Sequence, residues 1–306
     1  HIPAAMLPIP SRPEIYSISR SDQEEVLKVF ANLDVVFPVL HGTFGEDGTL
    51  QGLFELTDIA YVGAGVLGSA VGMDKALFKD VMVANQIPVA PSVLVLKSEL
   101  KDMEGLLQRL DDLIDYPVFV KPANMGSSVG VHKCKDIEEL ALGLQDATRY
   151  DRRILVEKGI NAREIELSVL GNQDPRVSLP GEIRPTAEFY SYEAKYHDDS
   201  SELIIPAELP DDQIKLLQDY SLRAYKAIDC SGMARVDFLL DKDTEEIFLN
   251  EVNTIPGFTP ISMYPKLWEA SGLSYAGLID ELISLALERK EEKDQLVRKY
   301  EYKSSD

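Results

Sequence analysis

Around a polar stretch at 241–246, the residues from 233 to 253 alternate between apolar and polar positions with a period of two. That is the period of a pleated strand, whose side chains point alternately to opposite faces, so the stretch predicts a β-hairpin. On its first strand Ala234, Val236, Phe238 and Leu240 face one way, and Arg235 and Asp237 the other. On the second, Glu251 and Asn253 share a face. A hairpin centred near Thr244 sets Asp237 across from Glu251 and Arg235 across from Asn253. Two carboxylates side by side repel unless a cation sits between them. Oxygen-bearing side chains with open positions suit magnesium, although a solvated outer face would read the same way from the hairpin alone.

Elsewhere the spacing predicts an α/β (α+β) chain. Residues 1–20, with Pro3, Pro8, Pro10 and Pro13, lack periodicity and read as linker or remnant, and the chain opens at His1 as a fragment would. Ser21 followed by Glu24 has capping-box spacing, so 21–33 is predicted helical. The apolar run 35–40 predicts a buried parallel strand. The glycine-rich loop 41–48 leads into a helix with Leu50, Leu53 and Phe54 on one face. Gly63, Gly65 and Gly68 have the spacing of a dinucleotide fingerprint. However, a helix at 74–86 intervenes and the next strand, 92–96, ends in Lys97 rather than an acidic residue. These glycines therefore read as a linker between domains.

Downstream, Met103, Leu106, Leu107, Leu110 and Leu113 give a helix over 98–114 its apolar face. Strand 117–121, loop 123–130, a short strand and a helix carrying Ile137, Leu140, Ala141 and Leu144 follow. Strands are predicted at 154–158 and 164–170, a helix at 211–228, closing helices at 261–271 and 275–288, and a solvated mixed-charge tail at 291–306. The polar, aromatic segment 188–203 is too long and irregular for an ordinary turn. The expected divisions are 1–72, 73–160, 161–290 and 291–306.

Composition narrows the function. With 306 residues, 45% hydrophobic and 27% charged, the chain has room for two or three packed domains. A net charge of −21 with no basic stripe argues against nucleic acid and anionic membrane surfaces. No run of 18 apolar residues appears. Cys134 and Cys230 form neither a disulfide framework nor a metal motif, which favours a reducing compartment.

Local lysines reverse the overall charge in one region. Strand 117–121 ends on Lys121 and passes into a glycine-serine loop, 123–130, whose backbone N–H groups suit phosphate oxygens. No Walker A spacing occurs. Such a loop alone is usually a turn, but with Lys75 and the oxygen-rich hairpin it favours phosphate binding.

These motifs together resemble the D-alanine–D-alanine ligases of the ATP-grasp superfamily, over about 35–289. They are the loop 41–48, Met73-Asp74-Lys75, the loop 121–130, Val156-Glu157-Lys158, Tyr192-Glu-Ala-Lys-Tyr196, Arg235-Val-Asp237 and Glu251-Val-Asn-Thr-Ile-Pro-Gly-Phe258. The resemblance implies an ATP-grasp fold, antiparallel sheets clasping ATP after a partial parallel α/β N-terminal domain. It assigns Lys75, Lys121 and Ser128 to the ATP phosphates. Glu157, Lys158 and Ile160 line the adenine pocket, Glu164 holds the ribose, and Asn250 adds to the nucleotide site. Asp237, Glu251 and Asn253 become ligands of two magnesium ions, with manganese as a substitute.

By the same resemblance one D-alanine is activated as an acyl phosphate and attacked by the amine of a second. Arg235 stabilises the developing oxyanion rather than serving as counter-ion to Asp237. Segment 188–203 is a lid in which Lys195 reaches the transferred phosphate and Tyr196 covers the second substrate. Ser127 and Tyr196 belong to a hydrogen-bonded set with a glutamate. His41, Glu46, Gly257, Ser262 and Met263 bind substrate. The implied partners are two D-alanine molecules and a second copy in a homodimer, in the cytoplasm, with no nucleic acid and no membrane.

Two alternatives stand beside this expectation. A D-alanine–D-lactate ligase is disfavoured by Tyr196, which goes with the amine-using members. A non-catalytic ATP-binding remnant is suggested by the stretch ahead of Val35, where the family's opening strand, glycine turn and glutamate are not seen.

Overall fold

The period-two stretch folds as the expected hairpin, β14 (Gly232–Asp241) and β15 (Ile247–Asn253). In the computed structural model, which describes residues 3–10, 13–20, 24–113, 115–184 and 202–297, Asp237 lies opposite Glu251 and Arg235 opposite Asn253. The register slips between Asp237 and Phe238, so Asn250 is an extra residue in β15. Such a bulge bends a strand and increases its twist.

The other edge of β14 pairs along its full length with β10 (Ala162–Gly171), from Asp241 opposite Ala162 to Gly232 opposite Gly171. β12 (Gly181–Arg184) and β13 (Glu202–Ile204) extend the sheet, and β11 (Arg176–Val177) pairs with the end of β10. This six-stranded antiparallel sheet runs β13-β12-β10-β14-β15. Paired residues share a face. Ile165, Leu167, Val169, Ala234, Val236 and Phe238 therefore form one apolar surface, covered by Leu217, Ala224 and Tyr225 of helix Asp211–Ala227 and by Phe78 and Met82 of helix Lys75–Ala84. The opposite face carries Glu164, Glu166, Arg235, Asp237, Glu251 and Asn253.

A second antiparallel sheet has the order β6-β9-β7-β8, formed by Ser92–Leu96, Arg153–Lys158, Val118–Pro122 and His132–Cys134. Val95, Val118, Val120, Ile154 and Val156 pack on Leu106 and Leu110 of helix Met103–Asp111 and on Leu140 and Leu144 of helix Ile137–Ala147. The helix expected at 98–114 is divided. A 3-10 turn spans Lys97–Asp102, and Asp102 then caps the α-helix by accepting from the Gly105 N–H at 3.1 Å.

The N-terminal third departs most from the sequence expectation. Residues 1–20 are not all linker, and the described part of 21–33, residues 24–33, is not helical. β1 (Ala4–Met6), β2 (Glu14–Arg20) and β3 (Glu25–Asn32) form a three-stranded antiparallel sheet. The capping-box spacing is a local signal, and Val26 and Val29 pay a helical penalty for β-branching that strand pairing removes. The strand expected at 35–40 is only β4 (Val35–Val36), parallel to β5 (Ala60–Tyr61). Pro38 has no N–H to donate to a ladder, and Val39 and Leu40 beyond it are exposed.

Nor are the glycines at 63–68 a linker. Gly65 precedes helix Val66–Met73, and Gly68 packs so closely on the neighbouring chain that a Cβ would lie 3.0 Å from the Asp229 carbonyl oxygen. The last helix, Tyr275–Asp294, runs into the segment expected to be a solvated tail.

No single described helix is long and apolar enough to cross a membrane. The pair Met263–Ala270 and Tyr275–Asp294, bent by 106°, buries Tyr264, Trp268, Leu278 and Leu282 in a core cluster.

Because Phe238 is buried at the centre of the large sheet and Val29 is half exposed on β3, the two should respond differently. Phe238→Ala is expected to destabilise the chain by about 3–5 kcal/mol, and Val29→Thr by no more than about 0.5 kcal/mol. Denaturant midpoints of the purified variants check both.

Candidate active site

The polar face of the large sheet is crowded with like charge. Glu166 on β10 lies opposite Asp237, which lies opposite Glu251. Arg235 answers this charge, its Nε and Nη2 donating to the two Asp237 oxygens at 2.7 Å each. Its Nε also lies 3.0 Å from Glu166 Oε2. Asn253 Nδ2 donates to Asp237 Oδ2 at 2.9 Å and to Glu251 Oε1 at 3.3 Å. The sequence expectation of a shared face therefore holds, but its assignment of Arg235 needs correction. Here Arg235 is the counter-ion of Asp237 and Glu166, because a planar guanidinium is the nearest charge able to bridge them. Burial works against its charge, yet the carboxylates of Asp237, Glu166 and Glu251 make Arg235 hold its proton more firmly than usual.

Glu166 was missed in the sequence. Its signal was the same alternation, since Glu164 and Glu166 interleave with Ile165 and Leu167 on β10.

Among the described residues, no group of three His, Cys, Asp or Glu side chains converges as a metal cage. The donor set is instead two carboxylates and an amide. One Asn253 nitrogen spans Asp237 and Glu251, so the three groups meet at one place, and turning the Asn253 amide over would present its oxygen to a cation there. Hard oxygen donors with positions left for phosphate fit magnesium.

The loop 41–48 stands beside this face. His41 Nδ1 is 3.0 Å from the Ile255 carbonyl oxygen, just beyond β15. Glu46 accepts from the Gly42 N–H. Burial lifts the Glu46 carboxyl to about 7, helped by Glu251 and opposed by the Gly42 N–H and Arg235. Gly126 of the loop 123–130 closes on Gly42, where a Cβ would lie 3.0 Å from the Gly42 Cα. In that loop Ser127 and Ser128 have φ of 53° and 59°, a left-handed conformation costly outside glycine. Lys75 Nζ donates to the Met125 carbonyl at 2.6 Å.

Lys121 and Glu157 form a separate cluster in the smaller sheet. Lys121 Nζ and Glu157 Oε1 are 2.5 Å apart, and Lys79 Nζ lies 2.7 Å from Glu157 Oε2. Burial would raise the Glu157 carboxyl, but the two ammonium groups outweigh burial and hold it at about 2. The sequence showed Lys79 only as one more helical lysine, since nothing local marks a residue 5% exposed. Lys158 donates its N–H to the Pro91 carbonyl at 2.8 Å, and Ile160 follows it out of β9, half-buried. Glu164 sits on the polar face of β10, opposite Leu239. Asn250 is the bulge residue.

Past β15, Gly257 approaches Ser262 so closely that a Cβ would meet the serine Oγ at 2.9 Å. Ser262 stands at the N-cap of helix Met263–Ala270, its hydroxyl 2.8 Å from Thr259 Oγ1, and Met263 is buried. Lys195 and Tyr196, with most of the expected lid, lie outside the described residues. An open groove of about 550 Å³ along β8 and helix Ile137–Ala147 contains none of these residues.

Comparison with known proteins gives this geometry a context. The family model for the D-Ala D-Ala ligase C-terminus matches residues 81–284, and that for the N-terminus matches 11–64. The D-alanine–D-alanine ligase of Caldicellulosiruptor bescii is 56% identical over 268 residues, covering 87% of this chain and 74% of the relative. The chain belongs to the D-alanine–D-alanine ligase family.

Solved structures with this ligase fold include the D-alanine–D-alanine ligase of Coxiella burnetii, with TM-score 0.80 and 42% identity over 93% of this chain and 77% of that one. A D-Ala:D-Ser ligase from Enterococcus faecalis superposes with TM-score 0.82 and 36% identity, covering 93% of this chain and 79% of that one. The match from residue 11 also fits strands β2 and β3 better than a linker.

Glu46 gives this ligase-family chain a pH signature. Its folded carboxyl is raised from 4.5 to about 7. The stability it contributes is therefore full below pH 4.5 and lost as pH rises through 7. In magnesium-free buffer, Glu46→Gln is expected to remove a loss on the order of 2–3 kcal/mol across that window. Denaturation midpoints at pH 5 and pH 8 check this, and equal slopes in both proteins would contradict it.

Proposed function

We propose that this chain is a D-alanine–D-alanine ligase, joining two D-alanines at the expense of ATP to supply peptidoglycan precursor synthesis. The observation that carries the reading is the common face of Asp237, Glu251 and Asn253, with Arg235 at its edge and the glycine-serine loop 123–130 near the adjoining loop 41–48.

Lys75, Lys121 and Ser128 hold the ATP phosphates, while Glu157, Lys158, Ile160, Glu164 and Asn250 receive the base and ribose. Asp237, Glu251 and Asn253 would hold magnesium, two ions or manganese in their place, and the metal would supply neutralising charge to the transferring phosphoryl group. The γ-phosphoryl group passes to a carboxylate oxygen of the first D-alanine and ADP leaves. The amine of the second D-alanine then attacks the activated carbonyl. As the C–N bond forms, the C–O bond to phosphate breaks, phosphate departs with the electron pair, and the amine loses a proton.

Arg235, at the edge of that face, would present its guanidinium to the carbonyl oxygen as negative charge develops there. Ser262, at a helix N-terminus, suits the carboxylate of the second substrate, with Gly257 and Met263 shaping its approach. His41 and Glu46 flank the same end. Lys195 would reach the transferred phosphate and Tyr196, in a hydrogen-bonded set with Ser127, would cover the second substrate, which keeps water from hydrolysing the acyl phosphate. The reading includes a homodimer acting in the cytoplasm, where ATP is available.

Purified protein supplied with ATP, magnesium and D-alanine is expected to release phosphate and form dipeptide. Asp237→Asn should lower turnover at least about 100-fold, roughly 2.7 kcal/mol of transition-state stabilisation. ATP turnover independent of D-alanine, or ATP binding with no dipeptide formed, would overturn the assignment.

Offered D-alanine, D-serine and D-lactate together near neutral pH, the enzyme is expected to yield chiefly D-alanyl-D-alanine by mass spectrometry. A predominant depsipeptide would point to the lactate-using reaction instead.

A further inference from the structure

Lys79 carries a charge deep in the wall of the smaller sheet and has no part in the reaction described above. It projects from helix Lys75–Ala84, is 5% exposed, and donates to the Ala90 carbonyl at 3.0 Å. Its Nζ lies 2.7 Å from one Glu157 oxygen, while Lys121 Nζ lies 2.5 Å from the other. One carboxylate thus holds two ammonium groups, and the cluster carries one positive charge in excess. A simple buried ion pair would need only one lysine.

The two lysines are not equivalent. The Lys121 side chain is 16% exposed and that of Lys79 6%. Lys121 is therefore the one placed to turn towards an incoming anion, whereas Lys79 is tied to Glu157 and to a backbone carbonyl. If Lys121 left Glu157 with no second cation present, a buried carboxylate would be stranded without a partner, which is strongly unfavourable. Glu157 would then hold Lys121 back from any ligand. Sharing a single carboxylate also leaves Lys79 only partly compensated, and burial depresses its proton affinity below that of an ordinary lysine despite Glu157.

We propose that Lys79 is a positioning residue: as the fixed counter-ion of Glu157, it releases Lys121 to bind the polyphosphate of the nucleotide. The proposal rests on the reading of Lys121 as a phosphate-binding residue.

A double-mutant cycle in ATP binding tests it, with calorimetry of magnesium-ATP on wild type, Lys79→Met, Glu157→Gln and the double variant. Lys79→Met is expected to weaken binding about tenfold, because Glu157 then retains Lys121. The same change in the Glu157→Gln background should shift affinity by less than about threefold. An unaffected Lys79→Met, or an equal loss in both backgrounds, would overturn the proposal. Should Lys79→Met fail to fold by circular dichroism, Glu157→Gln and the double variant decide alone: equal affinities are expected, and a tenfold gap overturns it. Lys121→Met separates the two levels. If it binds ATP as wild type does, the phosphate reading of Lys121 fails and the proposal with it. If it weakens binding while Lys79→Met does not, only the role of Lys79 fails.

Discussion

Glu166, Asp237 and Glu251 share one face of the large sheet, and the repulsion among them has to be met by positive charge. In a chain of net charge −21, cations are scarce and their placement decides what the surface can do. Arg235 meets the demand in the resting molecule, as a fork on Asp237 and a contact to Glu166. The carboxylates are anchored from behind by β10, β14 and β15, whose other face is a closed apolar core. They cannot separate to relieve their repulsion without disturbing that core. This makes the face a standing demand for cations.

Much of that was legible in the sequence because it rests on a period of two. Alternation from Ala234 to Leu240 and from Glu251 to Asn253 was enough to pair Asp237 with Glu251. Counting about Thr244 gave the right register at the site and was one residue out near the turn, where the bulge intervenes. Glu166 carried the same signal but needed a third strand, and no local rule says that β10 lies beside β14. Lys79 was illegible for a related reason, since its burial comes from the packing of a helix on a sheet.

The N-terminal third shows the opposite case. Its local signals, Pro-rich residues and a capping-box spacing, were clear and misleading. β2 and β3 gain their order from pairing with each other, with a register slip between Ile15 and Tyr16. Helix propensity differs among ordinary residues by a few tenths of a kcal/mol, so a ladder of backbone hydrogen bonds readily overrides it. The glycines at 63–68 misled similarly. With the dinucleotide fingerprint set aside they read as a linker, and their use is close contact between backbones.

The single unmatched residue in β15 has a larger effect than its size suggests. Ile247, Leu249, Glu251 and Asn253 are all odd-numbered, and in an uninterrupted strand they would all face the same side. Asn250 resets the phase, so that Ile247, Leu249 and Val252 enter the core while Glu251 and Asn253 emerge opposite it. The strand is therefore two half-strands of opposite parity joined at one residue. The chemistry of the face depends on Asn250 staying out of the ladder as much as on the identity of its side chains. Were Asn250 drawn into the ladder as an ordinary paired residue, Glu251 and Asn253 would turn to the core side with every residue type of the motif intact.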